Sequence, residues 1–111
     1  MYSINKNILN YNGMRVEFDF AIRDVIRYKN SLIVLLDIPF NELEINNLYK
    51  VSEDGIVWQS EDLNKLYPNQ ENLPYEQMIL KGDKILASDF YGRRYFIKIG
   101  DGMVVKKDCV K

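Results

Sequence analysis

Apolar and polar residues alternate along much of this chain with the period of two that is typical of β-strands. The dipeptide Asn12-Gly13 suits the positive φ angles of a type I′ turn, and residues 14–20 after it alternate strictly between apolar or methionine and charged side chains. This pattern predicts an N-terminal β-hairpin over residues 8–20.

A continuous apolar run, Leu-Ile-Val-Leu-Leu at positions 32–36, follows the turn-like residues 29–31. A run of this length bounded by turn residues predicts a central strand covered on both faces. The preceding segment, residues 21–28, fits two patterns, because Ile22, Val25 and Ile26 also have helical spacing. Its β-branched and aromatic residues favour a strand.

An internal repeat organises the rest of the chain. The hairpin at 47–60 turns at Gly55 and returns in altered form at 94–107 with Gly102 in the turn, and strand patterns at 75–81 and 84–89 precede the second copy. We therefore predict one all-β domain over residues 1–111. It contains an internal repeat of two four-stranded antiparallel meanders, at about 22–60 and 75–109, packed as a sandwich or a partly closed barrel behind the N-terminal hairpin.

The connections and the ends of this fold add smaller expectations. A short helical turn is expected at 61–66, with Ser60 as its N-cap. The strands at 14–20 and 103–109 are candidate uncovered edges, and Lys106 and Lys107 on the last strand are typical of an edge protected against aggregation.

Composition argues against an enzyme. The 111 residues include no histidine and a single cysteine, Cys109, which removes the commonest general base, most zinc sites and any internal disulfide. No catalytic, cofactor-binding or metal-binding residue is predicted. The net charge of −1 argues against a nucleic-acid partner, and the absence of a signal-like or membrane-spanning apolar segment predicts a cytoplasmic protein with no membrane partner.

The charges are distributed unevenly along the chain. Residues 37–76 hold nine acidic and two basic residues, whereas the rest of the chain holds seven acidic and 13 basic residues. Two interpretations stay open, an acidic face that binds a basic partner and ordinary solvated loops. On the first interpretation the candidate partner-binding residues are Asp37, Glu42, Glu44, Glu53, Asp54, Glu61, Asp62 and Glu71.

Two resemblances bear on this choice. The run Leu-Tyr-Lys-Val-Ser-Glu-Asp-Gly-Ile-Val-Trp at 48–58 resembles the hairpin of quinoprotein-type β-propeller repeats, with Val105 in place of Trp58 in the second copy. That resemblance implies blade geometry without a quinone site. A wider pattern, including Asp-Gly-Ile-x-Trp-Gln at 54–59 and Tyr-Gly-x-x-Tyr at 91–95, is similar to small bacterial proteins associated with toxin loci. It implies an immunity protein of a contact-dependent inhibition or polymorphic toxin system, which binds and neutralises a basic, nuclease-like toxin.

A second function class stays open, a regulatory β-module that binds a small ligand or peptide between the meanders near Trp58, Tyr75 and Tyr91. The position of Trp58 on the apolar face of its hairpin favours a role in the core. A set of cations and aromatic rings near the C-terminus, Arg93 and Arg94 with Tyr91, Tyr95 and Phe96, could stack single-stranded nucleic acid. The alternation favours an ordinary strand instead, with Tyr95, Ile97 and Ile99 facing inward and Arg94 and Lys98 facing water.

Overall fold

The computed structural model describes residues 1–109, and 11 short strands dominate it, as the alternating sequence predicts. The strands are β1 (Tyr2–Asn5), β2 (Ile8–Tyr11), β3 (Met14–Glu17), β4 (Ile22–Tyr28), β5 (Ser31–Leu36), β6 (Leu48–Ser52), β7 (Gly55–Gln59), β8 (Tyr75–Lys81), β9 (Lys84–Asp89), β10 (Arg93–Lys98) and β11 (Val104–Cys109). One helix, α1 (Leu63–Leu66), lies between β7 and β8. The fold is therefore all-β.

The strands form three antiparallel sheets. The N-terminal sheet has the order β1-β2-β3, the middle sheet β4-β5-β6-β7 and the C-terminal sheet β11-β10-β9-β8. The two predicted four-stranded meanders are confirmed, and residues 21–28 hold a strand. Within the described residues the sheets do not close into a barrel.

The N-terminal prediction was wrong in its strand count. A third strand, β1, precedes the expected pair, and its four residues, Tyr-Ser-Ile-Asn, are too few to give a clear period. The strand predicted over 14–20 ends at Glu17. The amide of Phe18 still donates to the carbonyl of Asn7, but the carbonyl of Phe18 accepts a hydrogen bond from the side-chain amide of Asn7 at 2.7 Å. Phe18 is nevertheless buried, as the alternation indicated.

The first hairpins of the two four-stranded sheets have the same pairing register, and equivalent residues are 53 positions apart in the sequence. In β4 and β5 the pairs Ile22↔Leu36 and Asp24↔Leu35 skip Arg23, and in β8 and β9 the pairs Tyr75↔Asp89 and Gln77↔Ser88 skip Glu76. The skipped residues are β-bulges, which bend and twist a strand locally. The two bulge side chains meet, since Arg23 Nη1 lies 2.8 Å from Glu76 Oε1.

The second hairpins also share a bulge. Val51 pairs with Ile56 and Lys50 with Trp58, which skips Val57. Ile97 pairs with Val104 and Phe96 with Lys106, which skips Val105. The residue that occupies the position of Trp58 in the second meander is therefore Lys106, and the assignment of Val105 to that position was wrong. A bulge shifts the pairing register by one residue, and the alternation of apolar residues in the sequence does not reveal this shift.

Two buried clusters make up the core, and β5 contributes to both. Its six residues are all buried, which confirms a strand covered on both faces. Leu32, Val34 and Leu36 share one cluster with residues of the N-terminal sheet, including Leu9 and Tyr11. Ile33 and Leu35, which point the opposite way, share the other with Tyr75, Ile85 and Tyr95 of the C-terminal sheet.

The helical turn begins two residues later than predicted. The amide of Ser60 donates to the carbonyl of Leu48 and so prolongs the pairing of β7, which removes Ser60 as an N-cap. The carboxylate of Asp62 accepts a hydrogen bond from the amide of Asn64 at 3.0 Å and caps α1 instead. No helix among the described residues is long and apolar enough to cross a membrane.

Candidate functional site: the loop groove

Three connections enclose a surface cavity of about 740 Å³, which we call the loop groove. They are the β5–β6 loop at 37–47, the segment from α1 to β8 at 64–74 and the β9–β10 turn at 90–92. The lining residues are Ile38, Pro39, Phe40, Glu42, Leu43, Ile45, Asn64, Gln70, Glu71, Asn72, Leu73, Pro74, Glu76, Phe90 and Tyr91. The groove thus lies where the middle and C-terminal sheets are joined by chain.

Buried amides hold the first two walls in place. The side chain of Asn47 donates to the carbonyls of Leu36 and Tyr75, at 2.7 and 2.9 Å, and accepts from the amide of Tyr75 at 2.9 Å. Asn72 donates to the carbonyls of Leu63 and Tyr67, at 3.2 and 3.0 Å. Because each amide satisfies several buried or partly buried backbone groups, the two side chains tie both loops to neighbouring backbone.

A buried ion pair holds the third wall. The carboxylate of Asp89 has no exposed surface, and it accepts from the amides of Tyr91 and Arg93 and, at 2.7 Å, from the Arg93 side chain. Arg93 Nη2 also donates to the carbonyl of Glu71 at 2.7 Å. The β9–β10 turn is thereby tied to the segment that precedes β8.

Large apolar side chains protrude from these walls. Phe40 is 98% exposed, Leu43 is 95% exposed and Phe90 is 76% exposed, and Tyr91 stands beside Phe90 with 5.9 Å between the ring centroids. Exposed apolar groups that cluster at a cavity mark interaction surfaces. The sequence analysis missed them, although apolar residues such as Phe40 and Leu43 in a loop outside the strand patterns were the available signal.

The charge of the groove has a single sign. Among residues 1–109, the charged residues that line it are Glu42, Glu71 and Glu76, without a lysine or arginine. Glu76 is paired with Arg23. Within residues 1–109, the carboxylates of Glu42 and Glu71 accept no hydrogen bond and form no ion pair, so both are free to meet a cation of a partner.

The structure divides the eight predicted partner-binding residues. Glu42 and Glu71 line the groove. Two others lie in the same β5–β6 loop with internal contacts, since Asp37 Oδ1 is 2.9 Å from Arg23 Nη2 and the Glu44 carboxylate accepts from the amide of Asn46 at 2.9 Å. These four residues are the part of the set that the fold brings near one surface.

The other four residues lie elsewhere or have structural roles. The Glu61 carboxylate accepts from the amide of Val104 at 2.8 Å and so links the two four-stranded sheets, and Asp62 caps α1. Glu53 and Asp54 form the β6–β7 turn, at the far end of β6 from the β5–β6 loop. A five-residue strand separates them from that loop by roughly 17 Å.

The three aromatic residues near which a small ligand was expected to bind, Trp58, Tyr75 and Tyr91, do not form one site. Trp58 packs on the core, and its Nε1 donates to the carbonyl of Ile99 at 2.9 Å. Tyr75 is buried in the same core, where desolvation raises the pKa of its hydroxyl. Only Tyr91 of the three lines the groove. Residues 1–109 contain no cluster of three or more cysteine, aspartate or glutamate side chains that could hold a metal ion.

Comparison with known proteins places the chain in a family without giving it an activity. Residues 1–109 match the model of a family described as "Domain of unknown function (DUF7957)", and the chain belongs to that family. A search of curated proteins found no match. A search of solved structures found none either.

Proposed function

We propose that this chain is a non-catalytic, protein-binding immunity protein that neutralises a cognate toxin, and that the loop groove is its binding face. The observation that carries the proposal is the combination of exposed Phe40, Leu43 and Phe90 with the unpaired carboxylates of Glu42 and Glu71. Protein interfaces commonly join a few apolar anchors to a polar rim, and aromatic side chains supply much of the binding energy.

The sign of the charge suggests the partner. An acidic groove favours a basic surface, such as the cleft with which a nuclease binds nucleic acid, and like-charged partners are repelled. Binding there would block the cleft without any chemistry by the immunity protein. The proposal includes a cytoplasmic location, where such a toxin would meet its target, and no direct contact of this chain with nucleic acid or membrane.

The packing of the sheets is part of the same proposal. We describe the N-terminal, middle and C-terminal sheets as successive propeller-blade-like units stacked face to face. The shared register and shared bulges of the two four-stranded sheets support this description, and so does the contribution of β5 to both clusters. A rigid stack of this kind would present the loop groove as a preformed surface, which lowers the entropic cost of binding.

The decisive experiment reverses the charge of the groove. The proposal expects a toxin domain to be encoded by a neighbouring gene. That domain is titrated with the wild-type chain and with Glu42→Lys/Glu71→Lys by calorimetry, and growth of toxin-expressing cells is scored in parallel. We expect at least about a 100-fold loss of affinity and loss of protection, because two attractive contacts become repulsive.

The matched control is Glu53→Lys/Asp54→Lys, which makes the same charge change at the distant β6–β7 turn. It should bind like the wild type, apart from a small loss of association rate at low salt. Equal losses in both double variants would show that only overall charge matters. Unchanged binding by the groove variant, or no binding by the wild type, would refute the proposal.

The apolar anchors provide an independent test. Phe40→Ser and Leu43→Ser remove side chains that are nearly fully exposed, so folding stability should change by no more than about 0.5 kcal/mol. Affinity for the toxin domain should fall by about tenfold or more for each variant if these residues insert into the partner. Retained affinity in both variants would place the interface elsewhere.

The second candidate function is a regulatory module that binds a peptide in the same groove. The observation in its favour is the cavity volume, which lies within the range of about 300 to 1,000 Å³ usual for ligand sites. Short lysine- or arginine-containing peptides titrated into isotopically labelled chain should then shift amide signals of residues 38–45 and 90–91. Shifts there without binding of the toxin domain would favour this candidate over the first.

A further inference from the structure

The six edge strands of the three sheets differ in their protection against pairing with another chain. β4, β7, β8 and β11 each contain a bulge, at Arg23, Val57, Glu76 and Val105, and β3 carries Arg15 and Glu17. Bulges and charges are the usual devices that block an edge. Among these six edge strands, all within the described residues, β1 (Tyr2–Asn5) is the one with no bulge, no charged side chain and no proline, and all four of its residues are exposed.

The free hydrogen-bonding groups of β1 belong to Tyr2 and Ile4. The amide of Asn12 donates to the carbonyl of Met1, so Met1 and Asn12 form a hydrogen-bonded pair. Such pairs alternate along an antiparallel ladder, which directs the backbone groups of Ser3 and Asn5 towards β2. The N–H and C=O groups of Tyr2 and Ile4 therefore point away from the sheet.

The side chains of the same two residues extend an apolar surface beyond the core. Tyr2 is paired with Tyr11 and Ile4 with Leu9, so they lie on the face of the sheet that carries these two fully buried residues. Tyr2 is nevertheless 36% exposed and Ile4 is 42% exposed. An added strand would cover both side chains.

We infer that β1 pairs with β1 of a second copy of this chain, which joins two N-terminal sheets into one six-stranded antiparallel sheet. A twofold axis through Ser3 sets Tyr2 opposite Ile4 of the second copy, and Ile4 opposite its Tyr2. This register uses the free N–H and C=O groups of both residues, and it places an aromatic ring beside a β-branched side chain, which is a favourable cross-strand pair. No charged side chain of β1 faces another across the axis.

The self-complementary register selects a second copy as the occupant. The interface is small, since each strand has four residues, so we expect a weak dimer in rapid exchange with the monomer. Its formation uses none of the described residues that line the loop groove, since these all lie within 38–91. Dimer formation and toxin binding can therefore be tested separately.

Disulfide trapping tests the register directly, in a Cys109→Ser background that removes the native thiol. Ser3 pairs with itself across the axis as a non-hydrogen-bonded pair, with Cα atoms about 4.5 Å apart, which allows a disulfide. Ser3→Cys should therefore form a covalent dimer on mild oxidation. Asn5→Cys is the matched control, because it lies on the same face of β1 but its two copies would be roughly 14 Å apart.

We expect Ser3→Cys to cross-link at least about ten times faster than Asn5→Cys, since only the former brings two thiols within bonding distance. Equal cross-linking rates for the two variants would show that the thiols meet only by random collision, which would overturn the inference. Faster cross-linking of Asn5→Cys would contradict the register.

Reversible association provides the second readout. Translational diffusion of the otherwise unaltered chain should slow with increasing concentration, and Ile4→Pro should abolish this dependence. Proline removes only the outward N–H at this position and leaves the pairing of β1 with β2 in place. Ile56→Lys replaces an apolar side chain of similar exposure on β7 and should keep the wild-type behaviour, whereas Ile4→Lys should not. A wild-type chain whose diffusion does not depend on concentration would refute the inference.

Discussion

The two four-stranded sheets share a register but differ in the chemistry of one face. Leu35, Leu48 and Trp58 of the middle sheet lie in or against the core that it shares with the C-terminal sheet. The residues at the same register positions of the C-terminal sheet are Ser88, Arg94 and Lys106. Strand lengths, pairing order and bulge positions are almost the same in both sheets.

The difference follows from what each face meets. The face of the middle sheet with Leu35 is buried. The equivalent face of the C-terminal sheet is open to water along its edge strands, since Ile79 and Lys106 are exposed, and Ser88 between them is half-buried. In the stacked arrangement that we propose, the C-terminal sheet is the last unit, and such a unit needs a polar outer face for solubility. The two meanders therefore show that the same strand order and register can carry different side chains on one face.

The largest expected effect comes from exchanging one pair of equivalent residues. Leu35→Ser places a hydroxyl and a cavity in the core, and we expect a loss of about 4 kcal/mol in the free energy of unfolding. Ser88→Leu makes the reciprocal change on the open face and should alter stability by no more than about 0.5 kcal/mol. Urea denaturation with a common m-value measures both, and similar losses in the two variants would contradict the assignment of faces.

A smaller effect is expected at Asn47, whose register position corresponds to Arg93. Both residues tie a loop to neighbouring backbone, and Asn47 does so from a fully buried site. Asn47→Ala leaves the amide of Tyr75 and the carbonyl of Leu36 without their side-chain partner, so we expect a loss of about 2 to 3 kcal/mol. Thermal and urea unfolding measure it, and a loss below about 0.5 kcal/mol would mean that water replaces the amide.

How far the sequence could predict this fold depends on the kind of signal each element carries. The strands of the repeat were predicted nearly to their ends, because long alternating runs and turn residues such as Gly82 are local signals. β1 was missed because Tyr2 and Ile4 give only two apolar positions, which is too short a run to establish a period. The bulges at Arg23 and Glu76 could not be foreseen, since they depend on pairing between strands.

Of the candidate site, the sequence could predict only the negative sign of its charge. Acidic residues concentrate in the loops, and Glu42 and Glu71 do line the groove. Sequence distance could not show that Glu53 and Asp54 lie at the other end of the sheet, or that Glu61 bonds to the amide of Val104. Such contacts are set by how the sheets meet and not by any local pattern.

The turns of the two meanders offer the next comparison. Gly102 has a φ of +77°, and a Cβ atom there would lie 2.7 Å from Cδ2 of Trp58, whereas a Cβ atom at Gly55 would meet open space. Gly102→Ala should therefore cost about 2 to 3 kcal/mol of stability, from backbone strain and overpacking together. Gly55→Ala should cost about 1 kcal/mol, from strain alone.

Trp58 fluorescence distinguishes the two contributions at Gly102. A displaced indole ring should change the emission spectrum of the Gly102→Ala variant and leave that of Gly55→Ala unchanged. Equal losses of stability in both variants, with wild-type emission, would show that the turn of the C-terminal sheet does not press on Trp58.

The smallest expected effect concerns Arg94, the cation at the position of Leu48. Its guanidinium donates to both oxygens of Asp108, at 2.7 and 2.9 Å, and this hydrogen bonding lowers the pKa of the Asp108 carboxyl below its ordinary value of 3.8. A carboxyl with a lowered folded-state pKa adds stability above its unfolded-state pKa, and this stability is lost as the pH falls through the folded-state value.

Arg94→Gln should return the pKa of Asp108 towards 3.8, as carboxyl NMR titration would show. Because both side chains are partly exposed, stability at neutral pH should hardly change. If the pKa of Asp108 were the same in the Arg94→Gln variant and in the wild type, Arg94 would not stabilise the Asp108 carboxylate. The need for a soluble surface would then be the one remaining reason for an arginine at the position that Leu48 holds in the middle sheet.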